Sequence, residues 1–318
     1  MRYALGIDLG GTKIAAALVA ETGQVCTPVR TCPTRAHDGP SEILDDIASL
    51  ARTVLADAKN LPAPCAIGLG SAGVIDPERG TVISATDAIT DWTGTRLADG
   101  IAERLADVLP AITVQVENDV DAHAAGEAWK GAAAGAHCAA MIAVGTGVGG
   151  AVILDGEPLR SRNHFAGEIG HLPIPGADDI ACTCGITGHL EALGAGPSQV
   201  RVYHARGGDR SLTTAIDVHR AAGAGDELAA QVIADSARAV GTAVAALVTV
   251  LDPDVVVIGG GMLGAGPTWF DPMVAAARAQ LVPLVRDIPI VPATLGSHAA
   301  IVGAARAAFI ASERTAND

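Results

Sequence analysis

The chain has 318 residues, 49% of them hydrophobic and 18% charged, and a net charge of −14. That length suits two domains rather than one small core, and the acidity argues against a nucleic-acid groove, which needs basic residues to displace counterions. No apolar run reaches the length of a membrane span and no signal-peptide pattern opens the sequence, so the expectation is a cytoplasmic protein with no nucleic-acid or membrane partner.

In chain order, residues 3–9 and 12–19 read as two strands around Gly10-Gly11. An amphipathic helix is expected over 41–57, where Ser41 can cap and Ile43, Ile47, Leu50 and Val54 recur at helical spacing. A buried strand over 66–70 leads into Ser71-Ala72-Gly73. Another over 114–117 ends at Asn118-Asp119, with a helix over 122–129. A second cycle follows: a strand over 139–144, a turn over 145–150 and a strand over 151–154. Later comes a long helix carrying Val240, Val244, Leu247 and Leu251 on one face. It stops at Asp252-Pro253 and feeds a strand over 255–258 and the run Gly259-Gly260-Gly261. The last helix is expected over 299–311, folding back over the N-terminal domain. The strand–glycine turn–strand opening occurs twice, which points to a duplicated domain plan.

Residues 145–150 match G-x-G-x-x-G after a strand, yet a dinucleotide turn must open a helix, and here the next residues are strand-like. The Walker A frame is absent around Lys13. The remaining reading is a glycine hairpin whose tip lets a polyphosphate approach the main chain, since a Cβ would block the approach and disfavour positive φ. Thr12 adds a hydroxyl, Lys13 a charge, and Asp8 a carboxylate for Mg²⁺ or its waters. Ordinary hairpins are the competing reading.

Of six cysteines only Cys182 and Cys184 are closely spaced; Cys65 and Cys138 fit core thiols, and no disulfide framework is expected. The stretch from Glu168-Ile169-Gly170-His171 to Cys182-Thr183-Cys184-Gly185-Ile186-Thr187-Gly188-His189-Leu190-Glu191 gathers metal-ligand types and carboxylates in about two dozen positions. A carboxylate beside a fixed imidazole can grip vicinal hydroxyls, and a metal can hold that imidazole still.

Together with the glycine turns and Glu117-Asn118-Asp119, this segment resembles the ROK family (repressors, open reading frames, kinases) of bacterial sugar kinases, over most of the chain. The resemblance implies an actin-like (ribonuclease H-like) duplicated α/β fold, with a ligand cleft between a small domain, 1–117 plus the C-terminal helix at about 299–318, and a large domain, 118–298. It implies an ATP-dependent sugar kinase acting on a hexose 6-hydroxyl, with Mg²⁺ and a structural Zn²⁺, commonly as a homodimer or higher homo-oligomer. Asp119 becomes the catalytic base; a helix N-cap is the competing role. Gly73, Thr86, Asn118, Asp119, Glu168, His171 and Glu191 become sugar contacts. Asp8, Gly10, Gly11, Thr12, Lys13, Gly145, Thr146, Gly147, Gly259, Gly260 and Gly261 fall to the nucleotide.

The sequence departs from the family's zinc motif at one ligand, since His189 stands where the third cysteine is expected. His171, Cys182, Cys184 and His189 still make a tetrahedral Cys2His2 set; the alternative is a weak site with His189 bonded to backbone. Glucose is the first-choice substrate. The 84–92 stretch is similar to that of animal N-acetylmannosamine kinases, which makes N-acetylmannosamine the alternative and sets Thr86 as either the C2 contact or a plain loop residue. A non-catalytic sugar sensor is the distant alternative. The family's repressors carry an N-terminal helix-turn-helix segment that this sequence is not expected to have.

Overall fold

A computed structural model describes residues 1–86 and 88–317; Asp87 of the 84–92 stretch and residue 318 of the expected last helix lie outside them. The chain divides into two compact units. The first comprises residues 1–135, 156–166 and 294–318, and the second comprises 136–155 and 167–293. Residues 118–135 therefore group with the first unit, later than the expected boundary at 118.

The first unit is built on strands β1 (Tyr3–Leu9), β2 (Lys13–Ala20), β3 (Arg30–Pro33), β4 (Ala66–Ser71) and β7 (Thr113–Asn118), in the order β3-β2-β1-β4-β7. β2 runs antiparallel to β1, while β4 and β7 continue the sheet in parallel. Both faces of β1 are covered, which explains its near-continuous apolar run. Leu5, Ile7 and Leu9 pack with Ile43, Ile47 and Val54 of α1 (Pro40–Asp57). Ala4 and Ala66 pack with Ile301 and Phe309 of the C-terminal helix α9 (Ala299–Asn317). α9 lies directly on the sheet because Gly68 has no side chain: a Cβ there would sit 1.8 Å from the Ala304 carbonyl oxygen.

α1 begins differently from expectation. Ser41 is not the cap; Gly39 precedes Pro40 at the first helical position, and no side chain caps the end. Proline's fixed φ is preorganised for that position, and the Ser41 hydroxyl instead accepts from Arg104 at 3.1 Å. The unit also holds the β5 (Val74–Asp76) and β6 (Thr81–Ser84) hairpin, α2 (Leu97–Leu105), α3 (Asp119–Lys130) and the short β10 (Glu157–Pro158). Glu127 of α3 is buried, and its carboxylate accepts from the backbone N–H groups of Ala132, Thr294 and Leu295 at 2.7–3.1 Å.

The second unit repeats the plan. Strands β8 (Cys138–Val144), β9 (Val148–Leu154), β11 (Val255–Gly259) and β12 (Ile290–Pro292) run in the order β9-β8-β11-β12, with β9 antiparallel and β11 and β12 parallel to β8. Its helices are α4 (Glu191–Gly194), α5 (Gly196–Ala205), α6 (Ala215–Gly223), α7 (Glu227–Leu251) and α8 (Pro267–Gln280). By length and composition α7 is apolar enough to cross a membrane, contrary to the sequence expectation. Its Val232, Val240, Val244 and Val248, however, are buried in this unit's core with Trp269 and Met273. The stop at Asp252 is a left-handed residue with φ 44°, and the following Pro253 cannot continue the helix.

Candidate active site

In the first unit the turn after β1 is tight: Gly10 N–H donates to the Lys13 carbonyl at 3.1 Å. Thr34 braces it from β3's end, donating its hydroxyl to the Gly10 carbonyl at 2.7 Å and its N–H to the Thr12 carbonyl at 3.0 Å. Gly11, Thr12 and Lys13 are exposed. The expected need for positive φ is not met here. Neither Gly10 nor Gly11 adopts it, and a Cβ on Gly11 would meet nothing within 4 Å. The fold itself would accept a side chain at 11.

Asp8, one residue before the end of β1, is pushed up to about 6, first by burial and then by the Asp119 charge, with Lys13 pulling the other way. Asp119 is raised too, by burial, against hydrogen bonds from its own and the Val120 backbone and from Asn118. The structure thus brings the two carboxylates into each other's field. It also settles the capping role: Asn118, not Asp119, is the N-cap of α3. The Asn118 Oδ1 accepts from Val120 and Asp121 N–H at 2.8 and 3.2 Å, and its Nδ2 donates to the Gly73 carbonyl at 2.9 Å. Asp119 is the first helical residue, where a negative charge meets the helix N-terminus.

Gly73 has φ 98°, and a Cβ there would sit 2.9 Å from the Ser84 carbonyl, so this position does require glycine. The buried Trp92 donates its indole N–H to Ala72 at 3.1 Å. Loops 71–73 and 84–92 are therefore joined next to Asn118, and Thr86 is exposed on the second of them. One contact was not legible from sequence: Arg160 pairs with the buried Glu117 and lies 3.7 Å from Asp121. Burial raises the Glu117 carboxyl, opposed by the Arg160 guanidinium.

In the second unit, the turn between β8 and β9 is only residues 145–147, because pairing resumes at Val144↔Val148. A strand follows it, as expected, and no helix. Thr146 is exposed at its tip. The triple glycine after β11 packs on this turn. Gly260 has φ 86°, and a Cβ there would sit 2.3 Å from the Val144 carbonyl oxygen; a Cβ on Gly145 would be 3.5 Å from Gly261 N, and β11 ends at Gly259.

Glu168 and His171 flank the single turn Ile169–His171. Cys182 N–H donates to the Ile186 carbonyl at 2.9 Å and Gly185 N–H to Cys182 at 3.1 Å, a knuckle that needs the positive φ of 89° at Gly185. It turns both sulfurs toward the two imidazoles. His171 Nδ1 and His189 Nδ1 lie 3.4 Å apart, Cys184 Sγ is 3.2 Å from His189 Nδ1, and Cys182 Sγ is 3.9 Å from His171 Nδ1. All four donor atoms fall within 4.8 Å of one another. A tetrahedral zinc with Zn–N and Zn–S bonds of about 2.0–2.3 Å has edges of roughly 3.3–3.8 Å, so the donor set fits with small adjustments. His189 Nδ1 faces these donors rather than a backbone carbonyl.

Glu191 opens α4 and turns its carboxylate back on the glycine turn, where Oε2 accepts from Val148 N–H at 3.0 Å. Its Oε1 accepts from the Thr183 hydroxyl and lies 3.8 Å from Cys182 Sγ. A Cβ on Gly147 would be 2.7 Å from Oε2. This glycine makes room for a carboxylate of the chain itself.

The sequence model of the ROK family matches residues 4–310. A glucokinase of Halalkalibacterium halodurans is 33% identical, over 95% of this chain and 93% of its own length. Among solved structures, a ROK hexokinase from Thermus thermophilus superposes with a TM-score of 0.84 at 32% identity, covering 98% of this chain and 99% of that one. A ROK family glucokinase from Streptomyces griseus, in complex with glucose and AMPPNP, superposes with a TM-score of 0.80 at 30% identity, covering 97% and 99%.

Proposed function

The chain belongs to the ROK family, and from that premise we propose that it is a phosphotransferase moving the γ-phosphoryl group of MgATP to the 6-hydroxyl of a hexose, glucose first. The observation that carries the reading is Asp119, a carboxyl raised by burial at the head of α3 and sharing a field with Asp8. Phosphoryl transfer needs positioning, charge neutralisation and a carboxylate to take the hydroxyl proton. Asp119 is that base, and a raised pKa improves its grip on the proton. Asp8 would hold Mg²⁺ or its waters, and the ion would supply neutralisation of the phosphate charge. We assign nucleotide-phosphate binding to the exposed turn at 10–13, with Thr12 and Lys13, and to residues 145–147 and 259–261.

Glu168, His171 and Glu191 hold sugar hydroxyls. We assign Gly73, Thr86 and Asn118 to sugar binding as well; Asn118 holds the Gly73 loop and the start of α3. His171 Nδ1, Cys182, Cys184 and His189 Nδ1 would hold Zn²⁺, which would fix the orientation of the His171 ring and leave its Nε2 for a sugar hydroxyl. ATP as donor fits a cytoplasmic enzyme, and the family habit is a homodimer.

The exposed Thr86 beside the Gly73–Ser84 contact supports one second reading, N-acetylmannosamine as acceptor. An ADP-release assay comparing glucose, N-acetylmannosamine, mannose, fructose and N-acetylglucosamine by kcat/KM tests both. The expected order puts glucose first. Preference for N-acetylmannosamine would make the 84–92 loop the specificity element, and no turnover from zinc-loaded protein would overturn the proposal. Metal analysis of protein purified without chelator should find at least about half a zinc per chain.

A further inference from the structure

Thr183 stands between the two cysteines, and nothing in the zinc chemistry asks for a hydroxyl there. What it does touch is Glu191: the Thr183 hydroxyl donates to Oε1, while Val148 N–H donates to Oε2. The two donors come from opposite sides of the carboxylate. Val148 is the first residue of β9, directly after the 145–147 turn, and Thr183 is the tip of the cysteine knuckle. Cys182 Sγ is 3.8 Å from the same Oε1.

We infer that Thr183 is a positioning residue, holding Glu191 between the cysteine knuckle and the 145–147 turn so that the carboxylate's free lone pairs face a substrate diol. The count agrees with that role. A carboxylate offers about four acceptor positions; Val148 takes one on Oε2 and Thr183 one on Oε1, with the Cys182 sulfur a longer contact to Oε1, so acceptor capacity remains for substrate hydroxyls. Gly147 leaves the room this placement needs, since a methyl group there would press on Oε2 at 2.7 Å. The inference rests on Glu191 as a sugar contact and adds how that contact is aimed.

The test is Thr183→Val, which keeps the shape and removes the donor, with Thr183→Ser as the rescue and Glu191→Gln as the partner in a double-mutant cycle. Glucose affinity is read by calorimetric titration and by steady-state KM, with zinc per chain measured on every variant. T183V is expected to weaken glucose about tenfold, about 1.4 kcal/mol, to leave KM for ATP within about twofold, and to keep its zinc; T183S is expected to restore glucose binding. In the E191Q background T183V should add no further loss, because the hydroxyl acts only through that carboxylate. Unchanged glucose binding in T183V, or losses that simply add in the double variant, overturns the inference. Glucose binding untouched by E191Q would instead overturn the role of Glu191 itself, so the two failures are separable. A T183V protein that loses zinc is still read by the cycle, where additivity counts against the inference and non-additivity supports it.

Discussion

In the first unit the hairpin turn at 10–12 opens onto space: a Cβ on Gly11 would meet nothing within 4 Å. In the second unit the corresponding turn is filled, because a Cβ on Gly147 would press against the Glu191 carboxylate. The strand plan around the two turns is the same, β2-β1-β4-β7 and β9-β8-β11-β12. Topology therefore delivers a glycine turn to an equivalent strand end twice, and the chain that follows decides its use. The acids differ in the same way. Asp8 and Asp119 are raised by burial, which suits groups that must exchange a proton or meet a cation. Glu191 is held by two donors, which suits a fixed acceptor. One unit prepares charge; the other prepares geometry.

The largest expected effect breaks the first half of that contrast. Asp119→Asn keeps the shape and the helix-start position but cannot take a proton, so kcat should fall by about 10²–10⁴-fold. Sugar KM should stay within a few-fold, and the melting temperature should not drop, because the variant removes a buried charge. Steady-state kinetics with a thermal melt checks this. A fall of less than tenfold would reduce Asp119 to a first-turn helix acid.

Next in size is a pair of glycine substitutions that sharpens the contrast between turns. Gly260→Ala forces a side chain into φ 86° and to 2.3 Å from the Val144 carbonyl oxygen, which should cost about 2–4 kcal/mol of stability. Gly11→Ala should leave the melting temperature unchanged and lower kcat/KM for ATP at least about tenfold, because its methyl group intrudes only on a bound phosphate. Denaturant titration and ATP kinetics on both proteins separate the cases. A G11A enzyme with ordinary ATP kinetics would mean that the open turn receives no ligand.

These contrasts mark what could be read from the sequence. The paired hairpins, the parallel strands and α7 are local patterns, written in runs of apolar residues and punctuated by glycine. The metal-ligand types were visible because His171 to His189 span a short stretch of chain. What escaped was long-range. The Val148–Glu191 and Arg160–Glu117 bonds each join residues 43 positions apart, and no periodicity announces them. The closeness of Gly147 to Glu191 was hidden for the same reason: its neighbour is a carboxylate from another loop. The Ser41 cap failed for a local reason, a proline that starts α1 one residue earlier.

The smallest effect concerns Asp8 and is a matter of sign. A carboxyl at about 6 in the folded protein, against an ordinary 3.8, keeps its proton where the unfolded chain has lost it. Between about pH 4 and pH 6 the native state binds more protons, so this group's contribution to stability is full below about pH 4 and is lost as pH rises through 6. The loss is at most about 3 kcal/mol, the difference of the two values converted at about 1.4 kcal/mol per unit. Asp119 pushes the same way and Lys13 the opposite way. Asp8→Asn cannot titrate, so relative to wild type it should gain stability as the pH goes from 4 to 7; groups remote from Asp8 cancel in the difference, while the coupled Asp119 does not. Urea midpoints at four pH values measure it. A cation bound at Asp8 favours the charged form, so MgAMPPNP should flatten the wild-type slope and leave that of D8N as it was. Parallel slopes for the two proteins without nucleotide would mean that Asp8 is an ordinary solvated carboxylate, and the first unit would lose its distinguishing charge.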